Sequence, residues 1–144
     1  MVTYSALFEP DRKAGGFVVT FPDFGYGVTQ GDTLNEATDM ARDLLEALIS
    51  DVIGRGGELP KMRRRRGRHS RLVSLPVLQS AKVELYRAFR ASGMRKAELA
   101  RRIGVPKSNL DRLFNLRHRS RFDQIEAAFA ALNKQVRVEI EDAA

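Results

Sequence analysis

The chain has 144 residues, 43% of them hydrophobic and 30% charged, which is enough apolar surface for one domain or two small ones and excludes global disorder. It has no cysteine and only two histidines, His69 and His118, which excludes disulfide stapling and cysteine zinc sites and leaves imidazoles too few and too far apart for a convincing metal site. No run reaches the roughly 18 apolar residues of a membrane span, and Met1–Lys13 lacks the basic and apolar stretches of a signal peptide, so a cytoplasmic protein with no membrane partner and no cofactor is expected.

The net charge of +7 is unevenly placed. Residues 1–60 carry four basic and ten acidic side chains, residues 61–78 seven basic and none acidic, and residues 79–144 fourteen basic and eight acidic. An acidic module is repelled by a polyanion, whereas a basic one gains by displacing condensed counterions. Two jobs and two domains are therefore expected, 1–78 and 79–144, with only the second suited to nucleic acid.

In the front part, Val2–Glu9 and Gly16–Phe21 are β-prone and flank a turn over Pro10–Gly16, the pattern of a hairpin. Pro22-Asp-Phe-Gly-Tyr-Gly27 breaks the chain before a short strand over Gly27–Gln30. Thr33-Leu-Asn-Glu36 has capping-box spacing, and Leu34, Ala37, Ala41, Leu44, Leu45, Leu48, Ile49 and Val52 recur at helical steps that would cover the sheet. Gly54, Gly56, Gly57 and Pro60 stop that helix, and Leu72–Val77 offers a last strand. The arginine-rich stretch 61–71 reads either as a plain solvated basic loop or, by preference, as a mobile loop that gains order on binding a nucleic acid or an acidic partner. Glu9, Asp11 and Asp23 are carboxylates near strand ends that could hold magnesium in a ribonuclease, but their places beside Pro10 and Pro22 make turn residues the better account.

This order of elements, with Phe21-Pro-Asp-Phe-Gly25, the Val28–Thr33 turn into the helix, Glu36-Ala37 and Ala41, resembles the N-terminal domain of HicB-type antitoxins, a reduced ribonuclease H-like fold. The resemblance implies a domain that performs no chemistry and instead binds a HicA-like mRNA interferase toxin. An acidic surface suits such a partner, because an RNA-cleaving protein gains from positive charge and opposite fields speed encounter.

In the rear part a helix is expected from Ser80, with Val83, Tyr86 and Phe89 on one stripe and Ser92-Gly93 ending it. Lys96–Leu113 then reads as a helix-turn-helix. Leu99, Ile103, Val105, Leu110 and Leu113 fall where two crossed short helices share a core, Ala100 lets the second helix approach, and Gly104 supplies the turn. The stretch resembles the lambda-repressor-like (Xre) class, which also forms the C-terminal domain of one branch of HicB antitoxins. Phe122, Ile125, Phe129 and Leu132 would close the core, while Phe114 and Leu116 depart from the Glu and Gly common in that class.

The resemblance implies that Lys107–Phe114 is a recognition helix in the major groove. Lys107, Ser108, Asn109, Asp111 and Arg112 are its outward candidates for DNA contact: Arg112 and Lys107 can read guanine, Asn109 adenine, and Asp111 can accept from cytosine. Lys96 matches a phosphate-contacting position of the class, and Arg117, Arg119 and Arg121 add backbone contacts. The tail Gln135–Glu141 alternates Val136, Val138 and Ile140 with polar residues, the period of a half-buried strand. It is expected to pair with another chain's copy, giving a homodimer, or with the front sheet.

The sequence thus implies an α+β chain, a small sheet plus helix followed by an all-helical domain with a terminal strand. Its expected role is a non-enzymatic antitoxin and autorepressor whose partners are a HicA-like toxin, double-stranded operator DNA and its own copies. Its rivals are a regulator that senses a small ligand through the front domain and an RNA-processing enzyme of ribonuclease H type.

Overall fold

The computed structural model describes residues 1–144, which fall into two compact units, Met1–Ser80 and Ala81–Ala144. The chain is α+β, with all four strands in the first unit.

In the first unit, β1 (Thr3–Pro10), β2 (Phe17–Thr20), β3 (Thr29–Gly31) and β4 (Ser70–Ser74) form an antiparallel sheet in the order β3-β2-β1-β4. The hairpin is in register with Phe8 opposite Val19, and β4 returns with Val73 opposite Tyr4. Between β3 and β4 runs α1 (Leu34–Gly54). Alternation along β1 buries Val2, Tyr4, Ala6 and Phe8, and helical steps along α1 bury Ala37, Ala41, Leu45, Leu48, Ile49 and Val52, so one sheet face and one helix stripe make the core. Leu34 and Leu44, at the edges of the expected stripe, are only half-buried.

The start of α1 follows the expected chemistry with one change of partner. Thr33 Oγ1 accepts from the Glu36 N–H at 3.1 Å, while the Glu36 carboxylate reaches back to the N–H of Asp32, one residue outside the cap, at 3.0 Å. β4 ends at Ser74, earlier than expected, because Pro76 serves helix entrance instead: its carbonyl accepts the Ser80 N–H at 2.9 Å and α2 (Val77–Ser92) begins directly after it. Asp11 is a turn residue as expected, its Oδ1 accepting from the N–H groups of Lys13 and Ala14.

The junction of β3 with α1 is the tightest in the unit. A Cβ on Gly31 would lie 2.4 Å from the Ala37 backbone nitrogen and 2.6 Å from its Cα, so the strand touches the first turn of α1 backbone to backbone. Neither side can yield, since Ala37 is fully buried.

The second unit contains most of α2, then α3 (Lys96–Ile103), α4 (Lys107–Phe114) and α5 (Phe122–Ala131). Its core is Val83, Leu85, Tyr86, Leu99, Ala100, Leu110, Leu113, Phe114, Leu116, Ile125, Ala128 and Leu132. Phe122, expected in the closing stripe, is exposed, and Ala128 takes an inward position in its place. The expected strand over 135–141 forms no ladder within the chain, and Val138 and Ile140 lie exposed. The sheet of the first unit is made only of β1 to β4, so this segment has no strand partner in its own chain.

Replacing Gly31 by Ala should lower the stability of the first unit by about 1–3 kcal/mol through overpacking against the Ala37 backbone. Urea denaturation followed by circular dichroism measures this; an unchanged midpoint would contradict the contact.

Candidate functional site

Two short helices, α3 and α4, are joined by Gly104-Val-Pro106. The turn is possible because Gly104 has φ of +80°, with its N–H bonded to the carbonyls of Ala100 and Arg101 while the Val105 N–H also returns to Ala100. Pro106 then sets the start of α4, where its fixed φ suits a helix cap. Leu99 and Ala100 on α3 and Leu110, Leu113 and Phe114 on α4 are buried, so the remaining positions of α4 must face outward. Lys107, Ser108, Asp111 and Arg112 are exposed and Asn109 is half-buried, the arrangement expected from the spacing.

Among the candidate residues the geometry makes two groupings. Lys96 Nζ on α3 lies 3.1 Å from Asp111 Oδ1 on α4 and 6.0 Å from the centre of the Phe114 ring, so the two candidate groups neutralise one another in the free protein. Asn109, Arg112, Arg119 and Arg121 line one hollow of about 240 Å³ together with His118, Ser120 and Gln124. Three arginines and an asparagine thereby border one hollow beside α4, with the Arg121 guanidinium paired to Asp123 Oδ2 at 2.7 Å. Arg117 is exposed and lies outside that lining; its N–H donates to Asn115 Oδ1 at 3.0 Å.

The end of α4 depends on a residue that the sequence reading passed over. Lys82 on α2 is completely buried, and its Nζ donates to the carbonyls of Arg112 at 2.9 Å, Asn115 at 2.7 Å and His118 at 2.6 Å. These three carbonyls belong to the last turn of α4 and the loop that follows, where they also accept the N–H groups of Asn115, His118 and Ser120 at 3.2, 3.1 and 3.0 Å and the helix dipole favours positive charge. Desolvation lowers the Lys82 pKa from 10.5 to about 8, so at neutral pH the group remains mainly an ammonium whose three N–H bonds match three acceptors. Ser120 adds a further contact, its Oγ lying 3.0 Å from His118 Nδ1 and 3.5 Å from the Arg112 carbonyl. Phe114 and Leu116, the departures from the Xre pattern, are buried beneath this loop, with the Phe114 ring edge-to-face on Tyr86 and tilted on Phe89 at centroid distances of 5.8 and 5.2 Å. The available signal for Lys82 was its position one helical turn before Leu85 and Tyr86, on the apolar face of α2.

The first unit presents a different surface. The loop after β2 lies on α1: a Cβ on Gly27 would come within 2.8 Å of a Leu48 methyl, and Tyr26 donates its hydroxyl to Asp51 at 2.5 Å. That hydrogen bond raises the Tyr26 pKa and lowers that of Asp51, with Arg55 completing the cluster 3.0 Å from Asp51. Tyr26, Val28 and Met40 remain exposed beside the acidic positions Asp39, Asp43 and Asp51. Asp23 lies elsewhere, with its carboxylate accepting from the Arg63 N–H and the Arg65 guanidinium. The loop that was expected to be free is therefore tied to the Phe-Pro-Asp turn. No three carboxylate or imidazole groups come together in a way that could hold a metal, and no helix is long and apolar enough to cross a membrane.

Residues 3–84 match the family described as the HicB-like antitoxin of bacterial toxin–antitoxin systems. The match spans the whole sheet, α1 and the first half of α2. The chain is 37% identical to the antitoxin HicB of Escherichia coli K12 over 122 residues, covering 85% of this chain and 88% of that one. It is 35% identical to the antitoxin HicB of Pseudomonas fluorescens Pf0-1 over 142 residues, covering 99% and 97%. A chain of a toxin–antitoxin complex from Streptococcus pneumoniae superposes with a TM-score of 0.47 at 28% identity, over 55% of this chain and 71% of that one. This chain belongs to the HicB antitoxin family, and its place is in a toxin–antitoxin system.

Replacing Lys82 by Met keeps the aliphatic stem but removes the second donor from three carbonyls that each retain one backbone N–H, and should lower the stability of the second unit by about 1–3 kcal/mol. Chemical denaturation compares this variant with Lys134→Met, an exposed control expected to change stability by less than about 0.5 kcal/mol. Equal midpoints for the two would show that the ammonium cage contributes nothing.

Proposed function

We propose that this chain neutralises a HicA-like RNA-cleaving toxin through residues 1–78 and represses its own operon through residues 79–144, without catalysis of its own. The observation that carries the reading is the outer face of α4, where Lys107, Ser108, Asn109, Asp111 and Arg112 stand clear of a core made by Leu110 and Leu113, in a chain of the antitoxin family. In this reading α3–α4 is a helix-turn-helix of the Xre class and α4 lies in the major groove of operator DNA. Arg112 and Asn109, which flank the same hollow, are the strongest candidates to meet base edges, by bidentate hydrogen bonds to guanine and adenine. Arg119 and Arg121, with Arg117 on the same loop, supply phosphate contacts.

The Lys96–Asp111 pair gives Asp111 a role beyond accepting from cytosine. A lone carboxylate on this face would repel phosphates, and Lys96 at 3.1 Å offsets that repulsion while staying near enough to the DNA side to bind phosphate itself. In the first unit, the exposed Tyr26, Val28 and Met40 next to the acids of α1 form the face best suited to a basic toxin: apolar side chains for contact, rimmed by charge of the opposite sign. The segment 135–141, alternating and unpaired in the single chain, is suited to pair with its counterpart in a second copy, and the resulting twofold would match two operator half-sites.

The variant Asn109→Ala/Arg112→Ala should lose operator binding in a gel-shift assay and still relieve toxicity when co-expressed with the toxin. Loss of both activities would contradict the division of labour. Deleting residues 135–144 should convert the dimer to a monomer in analytical ultracentrifugation and weaken operator binding; a truncated chain that stays dimeric rules out the strand pairing.

A further inference from the structure

Residues 61–71 contain one lysine and six arginines and no acid, and neither proposed role uses them. A basic run of this kind is ordinarily a loose solvated loop. Here its backbone is fixed at several points. The Asp23 carboxylate, whose side chain is 2% exposed, accepts from the Arg63 N–H at 3.0 Å and from the Arg65 guanidinium at 3.3 Å. The Arg65 N–H donates to the Oγ of fully buried Ser5 at 3.2 Å, and the Arg65 carbonyl accepts from the Ser70 hydroxyl at 3.0 Å. One residue earlier, the His69 carbonyl accepts the Phe8 N–H of β1 at 2.8 Å.

The consequence is a strap with an ordered backbone and a row of free cations. Arg65 is engaged by Asp23, but Lys61, Arg63, Arg64, Arg66, Arg68 and Arg71 are exposed and take part in no ion pair. Lys61 and Arg63 also border a hollow of about 410 Å³, together with Pro22, Asp23, Pro60 and Arg65. Holding six like charges on a fixed backbone is unfavourable in the free protein, and an anion of matching charge density relieves it. Because the backbone is already ordered, little conformational entropy remains to be lost on binding.

We propose that this strap binds the sugar–phosphate backbone of nucleic acid without regard to base sequence. The composition favours phosphate over an acidic protein surface. A protein interface needs an apolar centre shielded from water, and the strap offers only Met62, with Leu72 just beyond its end, both single side chains partly exposed. A phosphate backbone needs charge density alone, since counterion release supplies the affinity, and guanidinium forks match phosphate oxygens in pairs. The strap lies in the first unit and is independent of the operator-reading role assigned to the second.

The test uses the full chain and the variant Arg64→Ser/Arg66→Ser/Arg68→Ser/Arg71→Ser, binding either a random-sequence DNA duplex or an oligouridylate RNA, by fluorescence anisotropy at increasing salt. Four lost phosphate contacts should make the dependence of log K on log salt shallower by about 3–4 on the duplex and about 3 on the single strand. Between about 50 and 200 mM salt the parent chain should therefore weaken on the duplex about 100-fold more than the variant. A change on only one probe still supports the strap and identifies its source as duplex or single strand. The four corresponding Arg→Lys substitutions should retain the slope, and a chain carrying Asn109→Ala/Arg112→Ala should retain the strap-dependent difference even if the operator reading fails. Unchanged slopes on both probes, in a variant that melts like the parent, overturn the proposal. So does a polyglutamate peptide that competes as well as RNA at equal charge, which would assign the strap to an acidic protein.

Discussion

The second unit turns on one buried ammonium. Lys82 gathers the carbonyls of Arg112, Asn115 and His118, each of which already accepts one backbone N–H, and its ammonium fills their second acceptor sites and draws the three to one point. The cost of burying the charge is offset only because all three N–H bonds are used, and the same geometry fixes where the loop after α4 must run. Arg119 and Arg121 lie just beyond His118 in the chain and border one hollow with Arg112. Phe114 and Leu116, unusual for the class the segment resembles, seal the apolar side of the same structure.

The first unit is organised by close approach and by a buried carboxylate. Gly31 lets β3 touch the first turn of α1, and the Thr33–Glu36 cap holds that turn in place, which explains why Gly, Thr, Glu and Ala occur at these spacings in a short motif. Asp23, in the Phe-Pro-Asp turn, could have suggested a metal site in a ribonuclease-like fold. Instead it accepts two hydrogen bonds from the arginine strap, while Phe21 and Phe24 on either side pack together and Phe24 packs on Tyr4. The turn works as an anchor for the strap.

The two units therefore display different chemistry for structural reasons. In the first, the apolar side of α1 is given to the sheet and its exposed side carries Asp39, Asp43 and Asp51, while residues 61–71 form a basic strap held by the Asp23 carboxylate, the Ser5 and Ser70 hydroxyls and the backbone of β1. In the second, the polar side of α4 is free because its apolar side is consumed by α3 and the Phe114–Tyr86–Phe89 cluster. The first unit falls within the match to the HicB-like antitoxin family, and the two units differ in charge as well as in fold.

Local and periodic information was legible in the sequence. The hairpin, the capped helix, the short α3 and α4 with their glycine turn, and the outward set Lys107, Ser108, Asn109, Asp111 and Arg112 all follow from residue spacing, because hydrogen-bonded helices and strands impose fixed periods on which side chains can be buried. Contacts between residues far apart in the chain were not legible. The Lys82 cage spans at least 30 residues, the Asp23 clamp about 40 and the Ser5–Arg65 bond 60, and no period encodes them. The terminal alternation at 135–141 marks the same boundary from the other side: a strand's side-chain pattern is local, but its hydrogen bonds need a partner, and only the assembled fold could say that its own sheet does not supply one.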